Sequence, residues 1–262
     1  MASGAAFAVA EPSKDSVANG AVVQIDEPRY LGIRLKGETV LQDSEGKRFA
    51  LAELLGKPVI LLLSYYGCDG SCPTMNAELA RALQGVTRFQ MGRDYRVLTV
   101  SFDARDTATT AAQFLRKTGV DPAATAGAWR HAVLSERDTG DFAGSVGFRF
   151  FWSDAAKAFM HPNVLIFLTP EGRIGRYIYG TRMDSRTLEL ALIDADWERI
   201  AESGGVFDML TGACYSYNYA EGRYGLNYAL LAGVGSLLLG LTLMLLGAWA
   251  YHGKKGRKLD VA

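Results

Sequence analysis

The sequence predicts an α/β fold followed by a single C-terminal membrane-spanning helix. Short apolar runs typical of buried strands alternate with segments in which apolar residues recur at the helical period. Such alternation is typical of a mostly parallel sheet covered by helices, with a closing hairpin that adds antiparallel strands. Farther along, residues 228–251 contain no charged side chain, and about 20 apolar residues are enough to cross a bilayer.

The first predicted elements lead to a central strand. Residues 37–50 have the pattern of a hairpin, with a polar turn between two short strands. Residues 51–55 predict one helical turn, which the glycine and proline after it bring to an end. The continuous apolar run at 58–66 then predicts a strand that is buried on both faces, in the middle of the sheet.

The alternation of strands and helices continues to about residue 203. A helix is predicted to begin near Thr74, because apolar residues follow the helical period from there to Val86. The helix after it has Asp106 or Thr107 as its N-cap and ends at Gly119. The remaining predicted elements are strands at 95–102, 129–134, 164–168 and 173–179, helices at 108–117, 135–146 and 184–203, and a hairpin at 148–160.

Both ends of the chain differ from the domain between them, which we place at residues 31–205. Residues 1–30 predict a tail. The Ala-x-Ala at 8–10 resembles a signal-peptidase site, but a disordered alanine-rich tail fits as well. Residues 206–227 predict a tyrosine-rich linker beside the membrane. The basic tail at 252–262 places the C-terminus in the cytoplasm and the domain on the other side of the membrane.

Composition argues against several classes of protein. The formal net charge is +0, so there is no electrostatic reason to expect nucleic-acid binding. Three cysteines are too few for a disulfide scaffold. The sequence contains no glycine-rich nucleotide-binding fingerprint and no Walker loop, so nucleotide binding is not supported.

Two of the cysteines, Cys68 and Cys72, lie between the central strand and the next predicted helix. A strand-to-helix turn can bring two thiols four residues apart to one side, and a helix N-terminus favours the thiolate. Thiolates are soft ligands that suit Cu(I) or zinc, and the same pair can form a redox-active disulfide. The sequence therefore predicts a metal or redox site. The third cysteine, Cys214, is predicted to be a free thiol or an intermolecular contact.

Three further residues are candidates for the same site. His161 lies just before a strand, and a loop that returns to the same sheet edge would add its imidazole to the two sulfurs. One nitrogen and two sulfur ligands accept Cu(I) and Cu(II), and zinc accepts them too. Asp103 and Asp106 could orient ligands or contact a partner, and turn or helix-cap roles explain them equally well. Of the other histidines, His131 is predicted to be structural and His252 to be solvated.

Taken in order, these motifs resemble the Sco/SenC family. The resemblance covers roughly residues 37–201, and it is carried by GKPV at 56–59, CDGSCPT at 68–74, VSFDARDT at 100–107, His161 before a strand, and PEGR at 170–173. It implies a thioredoxin-like fold, a central mixed sheet flanked by helices, with Cys68, Cys72 and His161 as copper ligands. It also implies delivery of copper or reducing equivalents to the binuclear copper centre of cytochrome c oxidase subunit II.

Two features depart from the family pattern. Family members usually have proline after the first cysteine, whereas here Asp69 and Gly70 follow it, so we expect a more flexible loop. The clear membrane span lies at the C-terminus, which resembles a bacterial subgroup. We therefore expect a copper chaperone in the bacterial inner membrane, with its domain in the periplasm and its C-terminus in the cytoplasm. Its expected partner is subunit II or a related copper protein.

Other functions stay open at this point, and enzymatic activity is left undecided. A thiol–disulfide oxidoreductase would use Cys68 for attack and Cys72 for resolution, and would keep the copper-site cysteines of a partner reduced. A peroxide-reducing enzyme or redox sensor usually needs an activating Arg or Thr beside its cysteine. Thr74 is the one such residue that the sequence places near the pair.

Overall fold

A computed structural model describes residues 25–120, 125, 127–154, 157–180, 183–201, 215–218, 223–226, 232–233, 235–237, 239–240 and 242–244. The chain divides after residue 202 into two compact units, which are described separately. The predictions for residues 1–24, Cys214, His252 and the basic tail lie outside the described residues.

A seven-stranded sheet is the framework of the first unit. The strands of this unit are, in chain order, β1 (Val40–Asp43), β2 (Arg48–Ala50), β3 (Val59–Ser64), β4 (Arg96–Ser101), β5 (Trp129–Val133), β6 (Phe151–Ser153), β7 (Ala158–Met160), β8 (Val164–Leu168) and β9 (Ile174–Tyr179). The order in the sheet is β2-β1-β5-β4-β3-β8-β9, and β6 and β7 form a separate hairpin.

The sheet is mixed, with a parallel centre. Strands β3, β4 and β5 run parallel, while the outer strands pair antiparallel with their neighbours. The expectation of a mostly parallel sheet is therefore wrong, and the mixed sheet implied by the resemblance is confirmed. The physical reason lies in the connections: helices cross over between the parallel strands, whereas a tight turn at 169–173 joins β8 to β9 as a hairpin.

Five helices and one 3-10 turn accompany these strands in the described part of the first unit. They are α1 (Glu27–Tyr30), the 3-10 turn Leu51–Leu54, α2 (Ser71–Leu83), α3 (Ala108–Thr118), α4 (Glu136–Ser145) and α5 (Ser185–Asp196). The side chains of Thr107, Ser135 and Asp184 accept hydrogen bonds from backbone N–H groups in the first turns of α3, α4 and α5. Gly119 ends α3 in the left-handed conformation, as predicted.

Two helix boundaries differ from the prediction. Helix α2 begins at Ser71, three residues earlier than expected, because Pro73 lies in the first turn, where its missing N–H leaves no helical bond unmade. Cys72 is therefore helical. Helix α5 ends at Asp196 and not near residue 203, because Glu198 adopts a φ of 55° and turns the chain back towards β9.

The core lies on both sides of β3, every residue of which is buried. On one face, Leu61 and Leu63 belong to the same apolar cluster as Phe142 of α4. On the other side of the unit, α2 contacts α3 and α5. Ile25 is buried in the main cluster, so the packed fold begins before residue 31, the predicted start of the domain.

The second unit contains an antiparallel strand pair, β10 (Tyr215–Asn218) and β11 (Arg223–Leu226), within the region predicted to be a linker. The residues described between 232 and 244 are helical, and their larger apolar side chains, such as Leu237 and Met244, are exposed. Among the described residues, no helix is long and apolar enough to cross a membrane. Most of the predicted span at 228–251 lies outside the described residues.

His131 is a fully buried strand residue, which fits the structural role predicted for it. It lies in β5, where its ring stacks on Trp129 with 5.7 Å between centroids and 11° between planes. Phe114 of α3 lies 6.1 Å away. Burial lowers the pKa of His131 from 6.5 to about 3, because the charged imidazolium would lose its hydration there.

His131 should therefore make the protein sensitive to acid. Between pH 6.5 and about 3 only the unfolded chain binds a proton at this residue, so the unfolding free energy falls as the pH falls through this window. His131→Phe keeps a ring on Trp129 without the titration. Urea denaturation measures the free energy of unfolding of both proteins. The wild-type value minus the variant value should decrease by roughly 4 kcal/mol at most as the pH falls across that window. A difference that does not vary with pH would contradict this.

Candidate functional site

The two cysteines lie at the junction between β3 and α2. Strand β3 ends at Ser64, residues 65–70 turn away from the sheet, and α2 begins at Ser71. Cys68 lies in the turn and Cys72 in the first turn of the helix, and both are buried free thiols. The predicted strand–cysteine–helix arrangement is thus present, with Cys72 inside the helix.

Asp106, in the loop between β4 and α3, holds this turn in place. Its Oδ2 accepts hydrogen bonds from the backbone N–H of Tyr66 at 2.8 Å and from the Ser101 hydroxyl at 2.5 Å. Its Oδ1 accepts from the Thr110 hydroxyl at 3.0 Å. Asp106 therefore connects the exits of β3 and β4 with α3, while the N-cap of α3 is Thr107.

Asp103 forms an ion pair with Arg105 close to the site. Its carboxylate accepts hydrogen bonds from Arg105 at 2.8 and 2.9 Å. The Arg105 guanidinium also lies 5.8 Å from the ring centre of Phe159. Asp103 thus orients an exposed arginine at the edge of the site, which is compatible with the partner-contact role expected for it.

Asp69, in the same turn, forms an ion pair with α3. Lys117 of α3 donates a hydrogen bond to Asp69 Oδ1 at 2.8 Å. This ion pair links the residue after Cys68 to the neighbouring helix, although both side chains are largely exposed, so the pair contributes little stability. The Asp106 carboxylate thus holds the backbone at Tyr66, Asp69 adds only this exposed ion pair, and the flexibility expected of the loop stays a prediction.

His161 reaches the cysteines because β8 runs antiparallel to β3. Leu165 of β8 pairs with Leu62 of β3, so the residues that precede β8 lie beyond the end of β3, where the cysteine turn begins. The Nε2 atom of His161 lies 3.6 Å from Cys72 Sγ. The expectation that its loop returns to the cysteine edge is met.

A second contact of His161 fixes its tautomer. Its Nδ1 lies 3.1 Å from the carbonyl oxygen of Pro162. A carbonyl can only accept, so Nδ1 carries the ring proton and donates it, and Nε2 presents a lone pair towards Cys72. This is the tautomer that a metal-binding or hydrogen-bond-accepting imidazole needs at that position.

Aromatic side chains surround the imidazole. The ring centre of His161 lies 5.1 Å from that of Phe102, 5.9 Å from Phe148 and 6.2 Å from Tyr65. Burial in this setting holds the pKa of His161 below its ordinary value, although the Pro162 carbonyl acts in the opposite direction. The ring is therefore neutral at physiological pH, as a ligand must be.

The two thiols are electrostatically unequal. A hydrogen bond from Cys72 is the main reason that the pKa of Cys68 falls from 9.0 to about 5; burial opposes this shift, and the backbone N–H of Gly70, 3.2 Å from the sulfur, assists it. The same hydrogen bond, together with burial, raises the pKa of Cys72 well above its ordinary value. Cys68 is therefore the thiolate at neutral pH and Cys72 keeps its proton.

Cys68, Cys72 and His161 form a series of contacts in which Cys72 touches both of the others. In the part of the chain that the structure describes, no set of three His, Cys, Asp or Glu side chains converges as a preformed metal site. Two sulfurs and a neutral imidazole nitrogen are nevertheless donors that suit copper and zinc. Their role as metal ligands stays a prediction, and the same sulfurs are placed for dithiol chemistry.

The sequence pointed to Asp103 and Asp106 beside this site but not to its aromatic residues or to the asparagine behind Cys72. The aromatic residues Phe148 and Phe159 were assigned only to a hairpin, and Tyr65 only to a strand. Their aromatic character is visible in the sequence, but the approach of Tyr65 to Phe159 and to His161 depends on pairing between distant strands. Asn76, which lies behind Cys72 and is fully buried, was also missed. A polar residue on the apolar face of a predicted helix was the available signal.

The family of the chain follows from a comparison with known proteins. The SCO1/SenC family model matches residues 31–190, more than half of the chain. The chain belongs to the SCO1/SenC family. No curated protein matches this SCO1/SenC chain closely enough to add to that result.

Solved structures share the fold of this SCO1/SenC domain. One from Aquifex aeolicus VF5, provisionally assigned to electron transfer, is 31% identical, with 64% of this chain and 95% of that chain covered and a TM-score of 0.58. Arabidopsis thaliana ScoI with copper bound is 20% identical, with 61% and 96% covered and a TM-score of 0.50. BsSco, a member of the Sco family of cytochrome c oxidase assembly proteins described with a disulfide switch, is 15% identical, with 67% and 97% covered and a TM-score of 0.51.

The inequality of the thiols predicts a selective alkylation. Iodoacetamide reacts with thiolates, so the rate of modification of Cys68 should reach half its maximum well below pH 9, the ordinary thiol value. Cys72→Ala removes the hydrogen bond that stabilises the thiolate and should move this midpoint upward. Peptide mass spectrometry of samples quenched over a pH series measures both. A wild-type midpoint near 9 would contradict the proposed hydrogen bond.

Proposed function

We propose that this protein is a copper chaperone that binds copper through Cys68, Cys72 and His161. Its proposed acceptor is the binuclear copper centre of cytochrome c oxidase subunit II or of a related copper protein. The observation that carries the proposal is the 3.6 Å approach of His161 Nε2 to Cys72 Sγ. The Sco family is known for copper binding and for cytochrome oxidase assembly, and this donor set agrees with that chemistry.

The site has properties suited to a transferable ion. Cys68 already offers a thiolate at neutral pH, and His161 offers a neutral nitrogen, so only Cys72 has to lose a proton when Cu(I) binds. Three donors leave Cu(I) open to an incoming ligand, as transfer by ligand exchange requires. The surrounding aromatic rings limit access of water to His161 and strengthen each electrostatic contact.

The proposal includes attachment to the bacterial inner membrane through residues 228–251, with the domain in the periplasm and the C-terminus in the cytoplasm. It is supported by the uncharged sequence of that segment and by the basic residues that follow it. The exposed leucines and methionine of its described helical residues agree with lipid contact. Anchoring would raise the effective concentration of the donor near a membrane-bound acceptor.

Removal of the imidazole tests the copper site. His161→Ala should weaken Cu(I) binding by at least about tenfold, because one of three donors is lost, while the fold stays intact. Competition with a chromophoric Cu(I) chelator under anaerobic conditions measures this, and far-UV circular dichroism checks folding. His131→Phe is the matched control, since that buried histidine lies outside the site. Copper retention equal to that of the wild type in His161→Ala would rule out the three-donor site.

A second function, thiol–disulfide exchange, is favoured by the unequal thiols. The Cys68 thiolate would attack a disulfide of the partner, form a mixed disulfide and release one partner thiolate. Cys72 would then lose its proton and displace the second partner thiolate, which leaves a Cys68–Cys72 disulfide and a partner reduced by two electrons. The peroxide-reducing alternative gains no support, because the Thr74 hydroxyl donates to the Gly70 carbonyl at 3.2 Å.

Trapping separates this function from copper transfer. With a peptide carrying the oxidised copper-site cysteines of subunit II, Cys72→Ser should accumulate a mixed disulfide at Cys68, whereas Cys68→Ser should not. His161→Ala should still exchange, because the imidazole takes no part in the reaction. Non-reducing electrophoresis and mass spectrometry detect the adduct. Absence of the adduct in Cys72→Ser would exclude the exchange reaction and leave copper transfer unaffected.

A further inference from the structure

A buried polar network lies behind the first turn of α2. Asn76 is fully buried and lies four residues after Cys72, on the same side of the helix. Its side-chain NH₂ group donates to the Cys72 carbonyl at 2.9 Å and to the Ser64 hydroxyl at 3.2 Å. Its Oδ1 accepts from the Thr99 hydroxyl at 2.8 Å, and the indole N–H of Trp129 donates to Thr99 Oγ1 at 3.0 Å.

The position of Asn76 is one where packing alone would favour an apolar side chain. The buried neighbours on α2 include Met75, Leu79 and Leu83. A buried amide without partners costs about 1–3 kcal/mol by protein mutational data, so such a group persists only where its hydrogen bonds are made. Here both the oxygen and the nitrogen of the amide have partners. Hydrogen bonds therefore connect the backbone of Cys72 with the last residue of β3, the middle of β4 and the first residue of β5.

We propose that Asn76 is a positioning residue for Cys72. By holding the Cys72 carbonyl against the sheet, Asn76 fixes the backbone of the first helical turn, and with it the direction of the Cys72 side chain. The sulfur is thereby kept beside both Cys68 and His161, which approach it from different elements. The inference rests on the site of the proposed function, but it concerns the backbone that supports the site and is testable without copper.

The disulfide equilibrium gives the metal-free test. The full-length protein is equilibrated with dithiothreitol: two thiols form a Cys68–Cys72 disulfide while oxidised dithiothreitol takes up the two electrons and two protons. A loosened first turn lowers the effective concentration of one sulfur at the other. Asn76→Ala should therefore shift this equilibrium towards the dithiol by about tenfold. Mass spectrometry after alkylation measures the dithiol fraction.

Asn76→Ser is the matched rescue variant. A serine hydroxyl within a helix can donate to the carbonyl four residues earlier, here that of Cys72, but it is too short to replace the contact with Thr99. Alanine and serine at this position leave similar space and differ in that one donor. Asn76→Ser should stay within about threefold of the wild type in the disulfide equilibrium, although it is less stable than the wild type.

Thr99→Val is the control for general loosening of the core. It leaves the Asn76–Cys72 bond in place but removes the partner of Asn76 Oδ1 and of the Trp129 indole, so it should lower stability and leave the disulfide equilibrium unchanged. A shift in Thr99→Val as large as that in Asn76→Ala would overturn the positioning role. Equal values for Asn76→Ala, Asn76→Ser and the wild type would also overturn it.

Copper provides an independent readout on the same variants. Anaerobic chelator competition should show Cu(I) binding about tenfold weaker in Asn76→Ala than in Asn76→Ser. If the wild type binds no Cu(I), the proposed function fails while the disulfide test of Asn76 stands. If the wild type binds Cu(I) and the Asn76 variants bind it equally well, only the positioning role fails. Should Asn76→Ala not fold, Asn76→Leu fills the space with apolar atoms, lacks the donor and is expected to give the same shifts.

Discussion

The antiparallel pairing of β8 with β3 is the contact on which the site depends. Because β8 is antiparallel to β3 and Leu165 lies opposite Leu62, the residues that precede β8 lie beyond the end of β3. Cys68 and Cys72 follow β3 in sequence, and His161 precedes β8, so one strand pair brings together residues that are 89 positions apart. The pairing is stabilised by two strands that are buried along their whole length, which ties the geometry of the site to the hydrophobic core.

Burial then determines the chemistry of the three groups. In a region of low dielectric, two adjacent thiols cannot both ionise easily, so one hydrogen bond separates Cys68 as thiolate from Cys72 as thiol. The aromatic surroundings keep His161 neutral, and the Pro162 carbonyl selects its tautomer. The site therefore combines a charged soft donor, a protonated one and a neutral nitrogen. This combination suits both the binding of a soft metal ion and thiol–disulfide exchange. Both functions require Cys68 and Cys72 to be reduced.

The polar residues near the site support its backbone. Asp106 accepts from the N–H of Tyr66 in the cysteine turn, and Asn76 donates to the Cys72 carbonyl in the helix. Each reaches the site from a different side, Asp106 from the exit of β4 and Asn76 from within α2. Hydrogen bonds of this kind are strong where water is excluded, and they orient a chain segment more sharply than apolar packing does. The sulfurs are thus held by their own backbone as well as by their neighbours.

The sequence alone determined the elements and the motif. Apolar periods placed the strands and helices, Thr107 was among the expected helix caps, and the pair Cys68 and Cys72 marked the site, because these signals depend on residues close together in the chain. Only the tertiary structure decided the order in which the strands pair, the aromatic surroundings of His161 and the partners of Asn76. Each of these depends on pairing between segments far apart in sequence, and local patterns do not encode which segments meet.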